Sequence, residues 1–137
     1  MVMRMIALVR PLVPIAIALA VGGPAIAQSR DGAFANPFHF MQRDGEAIYH
    51  SVCQGCHMPD GQGAVGAGTY PALARNPRLA AAGYPVLMVV NGQKAMPPFG
   101  GLLDDDQVAA VVNYVRTHFG NAYEDAVSAT DVSAARR

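Results

Sequence analysis

Apolar residues recur at helical spacing in some stretches of this chain and lose all period in others, with caps and glycines marking the boundaries. The clearest element runs from Asp104 to Gly120, where Val108, Val111, Val112, Val115 and Phe119 fall on one helix face. Asp104 is its cap, Gln107 stands three residues later as in a capping box, and Gly120 ends it. Asp104, Asp105 and Asp106 favour the positive end of the helix dipole, and His118 the negative end. A first helix is marked by Asp44 as cap, by Glu46 in the first turn, and by Ile48, Tyr49 and Val52 on one side. It runs straight into Cys53.

The middle of the chain is less regular. Four glycines and no apolar period between Met58 and Gly68 predict a flexible loop. In "YPALARNPRLAAAGYPVLMVVNG", Asn76-Pro77 and Tyr84-Pro85 each read as a helix start, and Gly83 and Gly92 as stops. Val86 to Val90 fits a buried strand as well as a helix by period alone; Pro85 before it and Asn91-Gly92 after it favour helix. "QKAMPPFGGLL" is excluded from regular structure by its two prolines and two glycines.

The first residues differ in kind. "MVMRMIALVRPLVPIAIALAVGGPAIAQS" sets Arg4 and Arg10 ahead of an apolar stretch from Leu12 to Val21, with small residues at Ala25 and Ala27. That is the pattern of a secretory signal cleaved before Gln28, and it predicts export to the periplasm. A retained anchor needs about 20 apolar residues; Pro14, Gly22, Gly23 and Pro24 interrupt this stretch, so no membrane span is expected after cleavage. The expected organisation is a signal peptide over 1–27, an aperiodic arm over 28–42 carrying Phe34, Phe38 and Phe40, a folded domain over 43–120, and a tail over 121–137 that packs on the domain or trails from it.

With 137 residues the chain has room for one small domain. Such a domain buries about 60 to 70% of its unfolded surface, so a large apolar cofactor inside it would form much of the core. Ten basic side chains balance ten acidic ones, and losing Arg4 and Arg10 tilts the rest slightly acidic, so nucleic acid is not an expected partner. Lys94 is the only lysine, which excludes a lysine-ringed docking face.

The chemistry concentrates in "SVCQGCHMPDG". A structural disulfide between Cys53 and Cys56 closes a very small, strained ring and leaves His57 unexplained. A redox dithiol uses the same spacing but belongs at a helix start in a βαβ pattern, and strand signal is scarce here. Zinc needs a fourth ligand beyond Cys53, Cys56 and His57, and these three are crowded. A covalent haem uses every residue: both thiols add to the porphyrin vinyls, and the adjacent imidazole of His57 ligates iron. Of the three methionines after His57, Met58 is too close in sequence to reach round the ring, and Met88 sits in an apolar helical run where packing against the haem edge is its expected work. Met96 stands directly before Pro97-Pro98, which stiffen the backbone enough to hold a thioether at the iron. His39, His50 and His118 are the alternative nitrogen ligands, each more easily read as a surface histidine.

In this order the motifs resemble class I monohaem c-type cytochromes over about Arg43 to Gly120. Gly45 and Tyr49 precede "CQGCH", and after it come "DGQG", "YPALA" and "AMPPFGGLLDDDQVAAVVNYV". The resemblance implies an all-α cytochrome c fold, three to five helices around a covalently bound haem c, with the N- and C-terminal helices crossing where Gly45 lets Tyr114 approach. It implies haem attachment at Cys53 and Cys56, iron ligation by His57 and Met96, a Pro71 carbonyl accepting the Nδ1 proton of His57, and Leu73 packed on the proximal side. Arg75, Arg78, Asn91 and Lys94 are the candidates for the propionates.

The ending "YVRTHFGNAYEDAVSATDVSAAR" is similar to the haem domains in cytochrome subunits of bacterial alcohol, aldehyde and sugar-acid dehydrogenases. That similarity implies an electron-transfer protein and not an enzyme. It would be a monomer or a small subunit that takes electrons from a periplasmic dehydrogenase and passes them to a terminal oxidase or another cytochrome. A permanent cytochrome subunit of one dehydrogenase is the near alternative, and a haem enzyme or gas sensor with an open iron site the distant one.

Overall fold

In the computed structural model, which describes residues 40–66 and 68–136, the helical path begins where the Asp44 carboxylate accepts the Ala47 N–H at 3.0 Å. The expected signal peptide, and the arm up to and including His39, lie outside the described residues. Helix α1 (Gly45–Ile48) widens into a π-helical turn at Tyr49–Cys53 and tightens again into α2 (Gln54–His57). The first helix therefore runs four residues past Cys53 and is not uniform. Within the turn the Ser51 hydroxyl donates to the Ala47 carbonyl and the Gln54 amide to the His50 carbonyl, competing with the regular ladder and bending it.

The glycine-rich stretch from Met58 to Gly68 that reads as a loop contains β1 (Ala64–Val65), which pairs antiparallel with β2 (Thr69–Tyr70) just beyond it, in the register Ala64 to Tyr70 and Val65 to Thr69. Asn76 does cap a start, accepting the Arg78 N–H, but only a 3₁₀ turn at Pro77–Ala80 comes after it. Ala81 is already extended, which stops the turn, and Gly83 then opens α3 (Gly83–Asn91) instead of closing the segment before it. Helix α4 (Asp105–Thr117) carries the expected capping box between Asp104 and Gln107. The tail, in which the apolar pattern predicts no element, forms α5 (Ala129–Ala135) under a second capping box between Ser128 and Asp131.

Packing follows the apolar faces. Val108, Val111, Val112 and Val115 of α4 join Ile48, Tyr49, Val86, Val90 and Leu79 in one core, and Val127 and Val132 bring the tail onto it. Helix α1 crosses α4 at Gly45, where an added Cβ would stand 2.3 Å from the Ala110 carbonyl oxygen and 2.9 Å from the Tyr114 Cβ. The close approach is thus to the backbone at Ala110 as much as to Tyr114. The buried Gln107 amide donates to the Phe40 and Gln42 carbonyls at 2.6 and 2.7 Å, tying the lead-in to the start of α4. No helix among the described residues is long and apolar enough to cross a membrane.

Arg116 is the unexpected core residue. Its side chain is fully buried, with Nε on the Leu79 carbonyl at 2.9 Å and the guanidinium on both the backbone carbonyl and the carboxylate of Asp125. One charge thereby clamps the 3₁₀ turn and the tail to α4. Removing one partner of a buried ion pair typically costs about 3 to 5 kcal/mol. The Asp125 side chain, however, is 68% exposed and keeps its water when unpaired. Arg116→Met is expected to lower the unfolding free energy by about 3 kcal/mol or more, and Asp125→Asn by about 1 kcal/mol or less, as read from denaturant midpoints.

Candidate functional site

His57, last residue of α2, is buried and points Nδ1 at the Pro71 carbonyl oxygen 2.9 Å away. A carbonyl can only accept, so Nδ1 carries a proton, and in the neutral ring the lone pair is then on Nε2. The chain turns sharply after His57 because Met58 adopts φ 66°, and the Tyr49 hydroxyl secures that turn by donating to the Met58 carbonyl at 2.6 Å. Burial, with smaller contributions from Cys53, Tyr114 and Asp60, pushes the Tyr49 phenol up to about 12, so it stays a donor.

Backbone contacts bring the Pro71 carbonyl toward His57. Gly63 donates to the His57 carbonyl at 3.0 Å, and the Gly61 carbonyl accepts from both Leu73 and Ala74 at 2.7 and 2.9 Å. Gly63 has φ 67°, and a Cβ there would stand 2.2 Å from the Tyr70 oxygen and 2.8 Å from the Pro71 carbonyl carbon. Only glycine fits that position.

The two thiols stand beside this arrangement, Cys53 half-buried against the core and Cys56 exposed, with no bond between them. Burial first, and the neighbouring Cys56 second, push the Cys53 thiol up to about 12. A dithiol built for exchange needs the opposite, a thiolate stabilised by nearby positive charge.

Met96 ends a tight backbone pairing in which Gln93 and Met96 exchange N–H···O bonds of 3.0 and 2.9 Å. Gly92, at φ 68°, closes α3 beneath it, and a Cβ there would meet the Met96 oxygen at 2.5 Å and Pro97 and Pro98 backbone atoms at 2.7 Å. Beyond the prolines, Phe99 and Gly100 donate to the Val89 and Val90 carbonyls, so the loop is stitched back to α3 after Met96. Arg136 then reaches from the tail to the Gly100 and Leu103 carbonyls.

Leu73 packs against the core, whereas Met88 and Met96 are half-buried and stand outside the core cluster. His50 and His118 are exposed, their Nδ1 atoms engaged by the Gln54 side chain at 2.8 Å and the Tyr114 carbonyl at 2.9 Å; His39 lies outside the described residues. Arg75, Arg78, Asn91 and Lys94 are all exposed. The donor set fits a covalent haem: two unpaired thiols, an imidazole whose Nε2 lone pair is left available by its Nδ1 partner, and a thioether on a braced loop. Sequence reasoning missed the parts played by Tyr49, Gly61, Gly63 and Gly92 in this arrangement. The glycines had a signal, since "DGQG" and "NG" mark backbone that needs positive φ; the Tyr49 contact had none.

Residues 41–115 match the family described as "Cytochrome C oxidase, cbb3-type, subunit III". The chain is 37% identical to the fructose dehydrogenase cytochrome subunit of Gluconobacter japonicus, over 68% of its own length and 22% of that protein. It is 32% identical to the gluconate 2-dehydrogenase cytochrome c subunit of Pantoea cypripedii, over 68% of its length and 24% of that protein. The chain thus spans about a quarter of these two curated relatives. Cytochrome c-552 of Thermus thermophilus is 34% identical over 59% of this chain and 72% of that protein.

Two close glycine contacts hold Pro71 and Met96, so they should be intolerant of a methyl group. Gly63→Ala and Gly92→Ala are each expected to lower stability by about 1 to 3 kcal/mol. Gly55, between the cysteines, has open space and an ordinary φ, and Gly55→Ala should be neutral or slightly stabilising. Denaturant unfolding of the three variants checks the contrast.

Proposed function

The chain belongs to the cytochrome c family matched by its residues 41–115, and from that premise we propose a periplasmic one-electron carrier whose haem iron would be ligated by His57 and Met96. Membership brings a covalently bound haem c and electron transfer in place of catalysis. When bound, the haem supplies an iron that takes up and releases one electron as it alternates between ferric and ferrous.

The protein's own residues fix that iron's surroundings. Cys53 and Cys56 would hold the haem by thioether bonds, and His57 would ligate through Nε2 while its Nδ1–H donates to the Pro71 carbonyl. That second bond orients the ring and makes it a stronger donor. The Met96 thioether would supply the second iron ligand, a type that favours the ferrous state, and Leu73 and Met88 would pack against the bound haem. The observation that carries this reading is the hydrogen bond from His57 Nδ1 to the Pro71 carbonyl, which leaves Nε2 free to coordinate on the residue that follows Cys56 in the chain.

Export is supported by the signal-like segment over residues 1–27. The two dehydrogenase cytochrome subunits among the relatives support an electron donor of the sugar or sugar-acid dehydrogenase class, with a terminal oxidase or another cytochrome as acceptor. Because those relatives are subunits, a permanent place in one dehydrogenase complex is the second reading.

In the oxidised holoprotein a methionine-to-iron charge-transfer band is expected, lost in Met96→Ala and kept in Met88→Leu. High-spin ferric iron in the unaltered protein would overturn the ligand pair and favour an open-site haem enzyme or gas sensor. Rapid reduction by a substrate-reduced sugar or sugar-acid dehydrogenase, monitored by stopped-flow absorbance, is expected of a carrier. Co-purification with such an enzyme in fixed ratio would instead make it a subunit.

A further inference from the structure

Asn121 is buried, 6% exposed, and both ends of its side-chain amide are engaged. Its amide nitrogen donates to the Val115 carbonyl at 2.8 Å, in the last turn of α4, and to the Leu73 carbonyl at 2.9 Å. Its Oδ1 accepts the Asn76 N–H at 3.0 Å. A primary amide offers two N–H donors and one carbonyl, so one side chain is spent joining the end of α4 to the segment from Leu73 to Asn76.

That segment begins two residues after Pro71, and between β2 and the 3₁₀ turn it has no ladder of its own. The Gly61 carbonyl holds it from one side, through Leu73 and Ala74. Asn121 holds it from the other, helped by the Arg75 N–H on the Phe119 carbonyl at 3.1 Å and the Tyr123 hydroxyl on the Asn76 carbonyl at 3.3 Å. Gly120 makes the approach possible: at φ 79°, a Cβ there would stand 2.9 Å from the Arg75 Cγ.

We propose that Asn121 is a positioning residue for the iron-ligand histidine: by fixing Leu73 and Asn76 it keeps the Pro71 carbonyl on the His57 Nδ1–H and thereby sets the reduction potential. The inference rests on His57 being an iron ligand. A hydrogen bond weakens steeply as its distance and angle drift, and this one feeds electron density through the imidazole toward Nε2. A firm bond favours the ferric state. Loosening the Pro71 carbonyl therefore raises the potential.

The test uses the haem-loaded protein and its Asn121→Ala, Asn121→Ser and Val108→Ala variants. Val108 is fully buried at the other end of α4, so its truncation costs stability without touching the Leu73 to Asn76 segment. Asn121→Ala is expected to shift the potential upward and to speed exchange of the His57 Nδ1 proton, measured by NMR in the reduced state, about tenfold. Asn121→Ser, which keeps one donor and acceptor, should fall between, and it serves alone if the alanine variant does not fold. Val108→Ala should lower stability and move neither quantity. Potential and exchange unchanged in the Asn121 variants, or shifted equally by Val108→Ala, would overturn the inference. Iron in the unaltered protein that is not histidine-ligated would instead remove the premise, a result separable from both because it needs no variant.

Discussion

The hydrogen bond from His57 Nδ1 to the Pro71 carbonyl joins two parts of the chain that are held in place in different ways. On one side is a residue at the end of a helical run whose direction is fixed by the α1 to α4 crossing at Gly45. On the other is a carbonyl just past the end of β2, itself outside any helix or strand. A helix terminus is placed by packing, so His57 inherits its position from the core. The carbonyl has to be placed atom by atom, through Gly61, Gly63 and the Leu73 to Asn76 segment.

Ordering irregular backbone costs roughly 1 to 2 kcal/mol per residue in conformational entropy, while each hydrogen bond returns on average about 1 kcal/mol net. Both irregular segments of the site meet this in the same way. A glycine with positive φ lies so close to the chain that no Cβ would fit, Gly63 under Pro71 and Gly92 under Met96 to Pro98. Hydrogen bonds on each side then anchor the segment to a helix or turn that is already in place. The Met96 loop relies on α3 carbonyls, with Arg136 on the segment beyond it, and the Pro71 segment relies on the Gly61 carbonyl and the buried Asn121 amide.

Helices α3 and α4 were legible because their evidence is local: a capping aspartate with its Gln107 partner, a proline near the start, a glycine just past the end, and an apolar face. Cys53, Cys56 and His57 were conspicuous for a similar reason, being close together in the chain. Where the outcome depended on tertiary contacts the sequence was silent or misleading. The Pro77 start ran out after one 3₁₀ turn because Ala81 turned extended, and the glycine-rich loop acquired β1 and β2. Helix α5 is a different kind of miss: Ser128 and Asp131 form the same three-residue cap as Asp104 and Gln107, but a single buried valine, Val132, is too little to show as a stripe.

Arg116 and Arg136 show why the tail matters to a domain this small. Both reach from one helix to carbonyls that regular structure leaves unpaired: Arg116 to Leu79, Ala80 and Asp125, Arg136 to Gly100 and Leu103. An arginine suits this because its guanidinium offers five donors in a fixed plane and never loses its charge. A hydrophobic residue at 116 would pack against the same core and leave those carbonyls dry and unpaired. The charge is therefore tolerated inside the protein for its donors, and Asp125, largely in water, neutralises it at little desolvation cost of its own. The tail is thus fastened at both ends, at Asp125 by Arg116 and at Arg136 to the segment after Met96. Its helix belongs to the same packing unit that braces the Met96 loop.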